Sequence, residues 1–152
     1  MTSHLAIELE QTELWSRPVN TVPTLNDTRD LSLVAFSFAV GMALEAADVL
    51  AADGIEAEVI NLRTLRPLDT DTIIQSVRKT NRLVTLEEGW PAYGIGSEIA
   101  AVMMEHAFDD LDAPVVRVAG ADVPMPYAAN LEKLALPTVA QIVEAAKAVC
   151  YR

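Results

Sequence analysis

"LSLVAFSFAVGMALEAADVLAADGIEAEVINL", Leu31 to Leu62, is the stretch on which the fold turns. Its opening "LSLVAFS" (Leu31–Ser37) is a short, nearly unbroken apolar run, as expected of a strand covered on both faces. "AVGMALEAADVLAADG" then reads as a helix, closed by Gly54 in the left-handed conformation that glycine adopts cheaply past a helix end. "EAEVINL" (Glu56–Leu62) is a second strand. Strand, helix and strand in direct succession imply two parallel strands joined by a helical crossover.

The same alternation continues outward. "RTLRPLD" is a loop, and Asp69 or Thr70 caps a helix running to about Lys79. "RLVTLEE" is a third strand, "GWPAYGIG" a loop, and a helix is expected from Ser97 to about Phe108. "APVVRVAG" is a fourth strand. Thr138 and Gln141 form a capping box on a last helix ending near Val149. The pattern predicts a three-layer α/β/α domain over residues 31–152, with a mostly parallel sheet between helices. Residues 1–30 differ: "AIELEQTELW" suggests a strand, and "SRPVNTVPTLNDTRD" has the composition of a linker. No internal repeat or low-complexity tract is visible. One stretch, "GADVPMPYAANLEKLALP" (Gly120–Pro137), fits no regular element, yet it is too apolar for a solvated loop.

Composition narrows the function. The 152 residues are 51% hydrophobic and 22% charged, and the mean hydropathy of +0.24 is high for a soluble monomer. Either surface is hidden against another chain or an alanine-rich core raises the average. A net charge of −11 argues against nucleic acid, because no basic stripe could displace counterions from phosphates. The single cysteine, Cys150, cannot close an internal disulfide. Met1 to Asn20 resembles neither a secretory signal nor an acid-poor mitochondrial presequence. Acids interrupt every helix candidate, so none reaches membrane-spanning length. A bacterial cytoplasmic protein is the simplest expectation.

Candidate chemistry is sparse. "YGIGSE" lies between a strand and a helix, where backbone N–H groups can bind a phosphate. It lacks the third glycine of the dinucleotide fingerprint and the lysine of the phosphate loop. Glu87, Glu88 and Glu98 would also crowd any anion there. Tight packing of Gly94 and Gly96 is the better account. Glu87 and Glu88 are adjacent on a strand and point to opposite faces, so they cannot easily share one substrate atom. One is expected as a buried loop anchor, the other in solvent. His4 and His106 have no companions at ligand spacing, and His106 is expected to be packed beside an apolar stripe. Cys150 is a small packing residue one turn from Ala146. No catalytic residue, cofactor-binding residue or metal ligand is assigned.

Four collinear stretches carry a family resemblance: "ALEAADVLAADGIEAEVINLRTLRPLDTDTI", "VRKTNRLVTLEEGWP", "FDDLDAPVVRVAGADVPMPYAANLEKLALP" and "AAKAVCYR". From Leu33 to Arg152 the chain resembles the C-terminal domain of beta subunits of the thiamine-diphosphate-dependent pyruvate dehydrogenase component, within the wider transketolase superfamily. The resemblance implies oxidative decarboxylation of pyruvate to acetyl-CoA by the complete enzyme. Its thiamine diphosphate and magnesium would then be held by polypeptide other than this domain. The pyrimidine-binding domain that precedes this one in the family is not expected within these residues, and "AIELEQTELWSRPVNTVP" is faintly similar to its last strand and exit linker. Ala92 stands where the family's "WPQ" has glutamine.

What the resemblance further implies is assembly. The partners are the alpha subunit, a second copy in a homodimer, and the subunit-binding domain of the dihydrolipoyl acyltransferase. Docking of the last would use Asp112 and the chain-terminal carboxylate on Arg152, acidic groups meeting basic ones. On its residues alone, Asp112 is a turn residue before Pro114. Gly120 to Pro137 is then expected as an extended crossover whose prolines set the backbone. Met125, Tyr127, Leu131, Leu134 and Leu136 would supply subunit contacts, the alternative being a lid folded only onto its own domain. With the domain inactive alone, the remaining alternative is a free-standing oligomerisation or regulatory module.

Overall fold

The computed structural model describes residues 30–152, so the expected N-terminal strand and almost all of the linker lie outside the described residues. The first unit is β1 (Leu31–Ala35), α1 (Ala39–Ala52) and β2 (Ala57–Asn61). Then come α2 (Thr70–Thr80), β3 (Leu83–Leu86), α3 (Ile95–His106), a one-turn 3-10 helix (Phe108–Asp110) and β4 (Val116–Val118). The chain closes with α4 (Ala129–Ala135) and α5 (Val139–Val149). All pairings are parallel, in the order β2-β1-β3-β4. The strands thus run outward in both directions from β1 and β3, as in a doubly wound sheet.

Alternation along each strand divides the core into two layers. Leu31, Leu33 and Ala35 of β1, with Val84 and Leu86 of β3, pack on Ala43, Ala46 and Leu50 of α1 and Ile142 and Ala146 of α5. Val34 and Leu83 point the other way, onto Ile73 and Val77 of α2 and Ile99 and Met103 of α3. The alanines of α1 and α5 let those helices approach the sheet closely, and they account for part of the raised hydropathy. Ser32 is buried among these side chains without penalty, because its Oγ lies 2.6 Å from Ser76 Oγ and 2.7 Å from Thr80 Oγ1.

Local signals set the helix ends. Asp69 accepts from Thr72 N at 3.1 Å, and Arg78 and Lys79 occupy the last turn of α2, where the helix dipole favours cations. The capping box of Thr138 and Gln141 forms on α5. Gly54 has φ of 74° beyond α1. Three expectations need correction. Helix α3 begins two residues before Ser97. His106 is exposed rather than packed, with Nε2 3.8 Å from Glu105 Oε2, because the inward row of α3 (Gly96, Ile99, Met103) is followed inward by Ala107. The stretch 120–137 is not extended throughout, since α4 forms within it. "ANLEKLA" consists mainly of good helix formers, and it is bounded by Pro126 and Pro137. At seven residues it is too short to show a period.

Candidate functional site

In an open parallel sheet, ligands bind outside the carboxyl ends of the strands, where the strand order reverses. Here that point lies between β1 and β3. It is filled from within the chain. Glu87 follows β3 directly and is only 3% exposed. Its Oε2 accepts from Ile95 N and its Oε1 from Gly96 N, both at 3.1 Å. Those are the N–H groups that an anion at the start of α3 would need. A diphosphate therefore does not fit this crevice while Glu87 holds it.

The two glycines of "YGIG" are required by proximity, not by dihedral angle. Gly94 has φ of −72°, but a Cβ there would fall on the Glu87 carboxyl group. A Cβ on Gly96 would lie 2.6 Å from Thr85 Oγ1. The left-handed residue of the loop is Tyr93, with φ of 57°. Glu88 is half-buried rather than in solvent as expected.

The loop is also tied outward. Arg117 Nη1 donates to Pro91 O and to Ser97 Oγ, each at 2.6 Å. Trp90 Nε1 donates to Val123 O at 2.8 Å, which joins the loop to the segment after β4. Gly120 N donates to Gly89 O at 2.9 Å and Ala121 N to Ala135 O at 2.8 Å. A Cβ at Gly120 would overlap Glu88 O. Ala92 is exposed, so its methyl group leaves no internal gap.

Rooted in this way, the 120–137 segment turns its larger side chains outward. Met125, Tyr127, Leu131 and Leu134 are all exposed in the single chain, Tyr127 completely and Leu134 at 78%. Leu136 is half-buried. Trp90 and Tyr93 extend the roster of exposed apolar residues from the neighbouring loop.

Asp112 and the chain end meet elsewhere, at the amino ends of the strands. Asp112 is exposed and its Oδ2 lies 3.3 Å from Arg82 Nη2. Its N–H donates to Asn81 O at 2.8 Å, and its carbonyl accepts from Tyr151 Oη at 3.0 Å. Arg152 Nη1 donates to Gly54 O at 3.1 Å. The structure thus brings Asp112 beside the last residues through Tyr151. Arg82, the ion partner of Asp112, was not singled out by sequence because it lies 30 residues away. Burial pushes the Cys150 thiol above its ordinary range, with Arg82 opposing and Asp30 reinforcing the rise. That fits the packing role expected of it. Among the described residues, no group of three His, Cys, Asp or Glu could hold a metal ion, and no helix is long and apolar enough to cross a membrane.

Layers, strand order and a strand-end crevice define an open parallel α/β domain of the doubly wound class. The chain belongs to the transketolase C-terminal domain family, whose model matches residues 20–142. It is similar to the mitochondrial pyruvate dehydrogenase E1 component subunit beta-1 of Oryza sativa, 58% identical over 135 residues that cover 89% of this chain and 36% of that one. The corresponding subunit beta of Rhizobium meliloti is 58% identical over 124 residues, covering 82% and 27%. A solved structure titled "Split gene transketolase, inactive beta4 tetramer" superposes with a TM-score of 0.70 at 35% identity, over 82% of this chain and 39% of that one. The chain therefore spans well under half the length of these relatives.

Proposed function

We propose that this chain is the assembly and docking domain of a pyruvate dehydrogenase beta subunit. It supports oxidative decarboxylation of pyruvate to acetyl-CoA while performing no bond-making step alone. Thiamine diphosphate and magnesium belong to the complete enzyme and are held outside this domain. The observation that carries the reading is the crevice at the strand ends. Glu87 takes the N–H groups a diphosphate would use, so binding capacity is left to the outer surfaces.

Two surfaces serve this role. Met125, Tyr127, Leu131 and Leu134 meet the alpha subunit and a second copy of the chain. Asp112 and the terminal carboxylate of Arg152 receive the basic subunit-binding domain of the dihydrolipoyl acyltransferase. The compartment in this reading is the bacterial cytoplasm, although the relatives include mitochondrial as well as bacterial proteins. Titration calorimetry of the chain with thiamine diphosphate and magnesium should show no binding. The subunit-binding domain should bind, weaken with added salt, and lose about tenfold on Asp112→Ala. Equal binding by that variant would remove the docking assignment.

The split-gene tetramer supports a second reading, a free-standing α/β oligomer without retained catalysis. An upstream reading frame encoding a pyrimidine-binding domain would favour the first reading. A stable homo-oligomer in sedimentation, with no such frame, would favour the second.

A further inference from the structure

The helix α3, the 3-10 turn after it and the chain leading into β4 enclose an open groove of about 690 Å³. Its apolar lining includes Met104, Phe108, Leu111 and Val115, with Asp109 and Asp112 at the edge. Met104 and Phe108 are 57% and 60% exposed, an uncommon state for two large apolar side chains on one groove. The three acids alongside are not equivalent. Asp110 is 3.1 Å from Arg78 Nε, and Asp112 is 3.3 Å from Arg82 Nη2. Among the described residues Asp109 makes no ion pair. The wall that carries them is held in place: Asn81 Nδ2 donates to Asp110 O at 2.7 Å, and Asn81 O accepts from Asp112 N at 2.8 Å. Little ordering is left to be done when something binds.

We infer that this groove seats a basic amphipathic segment of a partner protein, an aliphatic side chain entering between Met104 and Phe108 while a lysine or arginine one helical turn away meets Asp109. The inference deepens the docking reading and rests on it for the identity of the partner. Charge complementarity selects the occupant. An unpaired carboxylate beside an apolar floor favours a cation attached to an apolar residue, and the net charge of −11 steers such a segment inward. A second copy of this chain would bring its own Asp109 and Asp112 to the same contact, placing like charges together. Asp109 supplies the free acceptor, and Asp112, already held by Arg82, supplies the field around it.

The test uses the 152-residue chain with two probes: the isolated subunit-binding domain of a dihydrolipoyl acyltransferase, and a synthetic leucine–lysine amphipathic helix. Affinities are measured over a salt series for wild type, Phe108→Ser, Asp109→Asn and, as a remote acidic control, Asp71→Asn. Phe108→Ser should weaken both probes about tenfold with the salt slope unchanged. Asp109→Asn should weaken them about threefold to tenfold with a shallower slope. Asp71→Asn should change neither. Phe108 and Asp109 are exposed, and unaltered thermal midpoints check that the variants fold.

Binding of the subunit-binding domain that depends on Asp112 but not on Phe108 or Asp109 overturns the groove and leaves the docking reading standing. Binding of the synthetic helix alone, lost on Phe108→Ser, sustains the groove and overturns the docking reading. Failure of both probes overturns both. Self-association of the wild type that disappears in Phe108→Ser makes the occupant a second copy and overturns the inference.

Discussion

Two regions meet at Gly89 and Gly120 and are built on opposite terms. Below is the strand-end crevice, where a buried carboxyl group accepts two N–H groups and glycine gives it room. Above is the 120–137 segment, whose backbone is tied to Gly89, Ala135 and Trp90 while its larger side chains touch water. The crevice is complete in one chain. The outer segment is rooted but unfinished. The contrast teaches that the usual ligand position of this architecture has been converted into a structural joint. The joint fixes a loop that leaves large apolar side chains exposed in the single chain.

The comparison breaks most directly at Glu87. Glu87→Ala leaves the buried Gly96 N–H and the half-buried Ile95 N–H without an acceptor and opens a gap beneath Gly94. A cost of about 3 kcal/mol is expected, or roughly 10 °C in melting temperature for a domain of this size. Glu87→Gln retains one acceptor oxygen but turns an NH2 group toward the other N–H, so its cost should fall between alanine and wild type. Urea unfolding of the three proteins checks the order. If Glu87→Ala gained affinity for inorganic phosphate, the crevice would prove to be an anion site that the glutamate merely occupies. If it cost nothing, the joint would not be structural.

Gly96 sharpens the same side of the comparison. Gly96→Ala sets a methyl carbon 2.6 Å from Thr85 Oγ1 and 2.9 Å from Glu87 Oε1, and the neighbours must move. About 2 kcal/mol of destabilisation is expected. Thr85→Ala removes one of the two obstacles, and because Thr85 Oγ1 has no hydrogen-bond partner among the described residues, its loss sacrifices no bond there. The double variant should therefore cost less than the sum of the singles in a double-mutant cycle. Strict additivity would show that the sheet does not limit the approach of α3.

These two sides were not equally legible in the sequence. Buried strands announce themselves by unbroken apolar runs, and the caps at Asp69, Thr138 and Gly54 are local chemistry. The succession of strands and helices and the layered class could therefore be read directly, while the strand order β2-β1-β3-β4 could not. Glu87 as an anchor was readable in outline, because adjacent acids at a strand end must diverge. Its partners were not, since Ile95 and Gly96 offer only backbone N–H groups, which leave no mark in the sequence. Helix α4 escaped because seven residues between prolines show no period. The groove at Phe108 escaped for a different reason. Met104, Phe108 and Val115 come from α3, the 3-10 turn and the chain before β4. Only the fold shows that, among the described residues, Asp109 lacks a cation while Asp110 and Asp112 have theirs. An acidic run directly beside an exposed aromatic was the one signal that could have pointed to it.

The smallest effect on folding is expected on the open side. Tyr127→Ser and Leu134→Ser alter side chains that are 105% and 78% exposed, so little apolar area re-enters water when they are removed. Each should change unfolding free energy by at most about 0.5 kcal/mol. If these side chains meet a neighbouring subunit, the same substitutions should weaken self-association, or capture by the alpha subunit, by roughly tenfold each, as expected for central apolar contacts. Sedimentation velocity across a concentration series reads the first quantity and denaturant unfolding at low concentration the second. Loss of association with stability unchanged would separate the two regions cleanly. Loss of stability in the dilute monomer would mean that the segment is a lid on its own domain, and that the outer surface is as closed as the crevice beneath it.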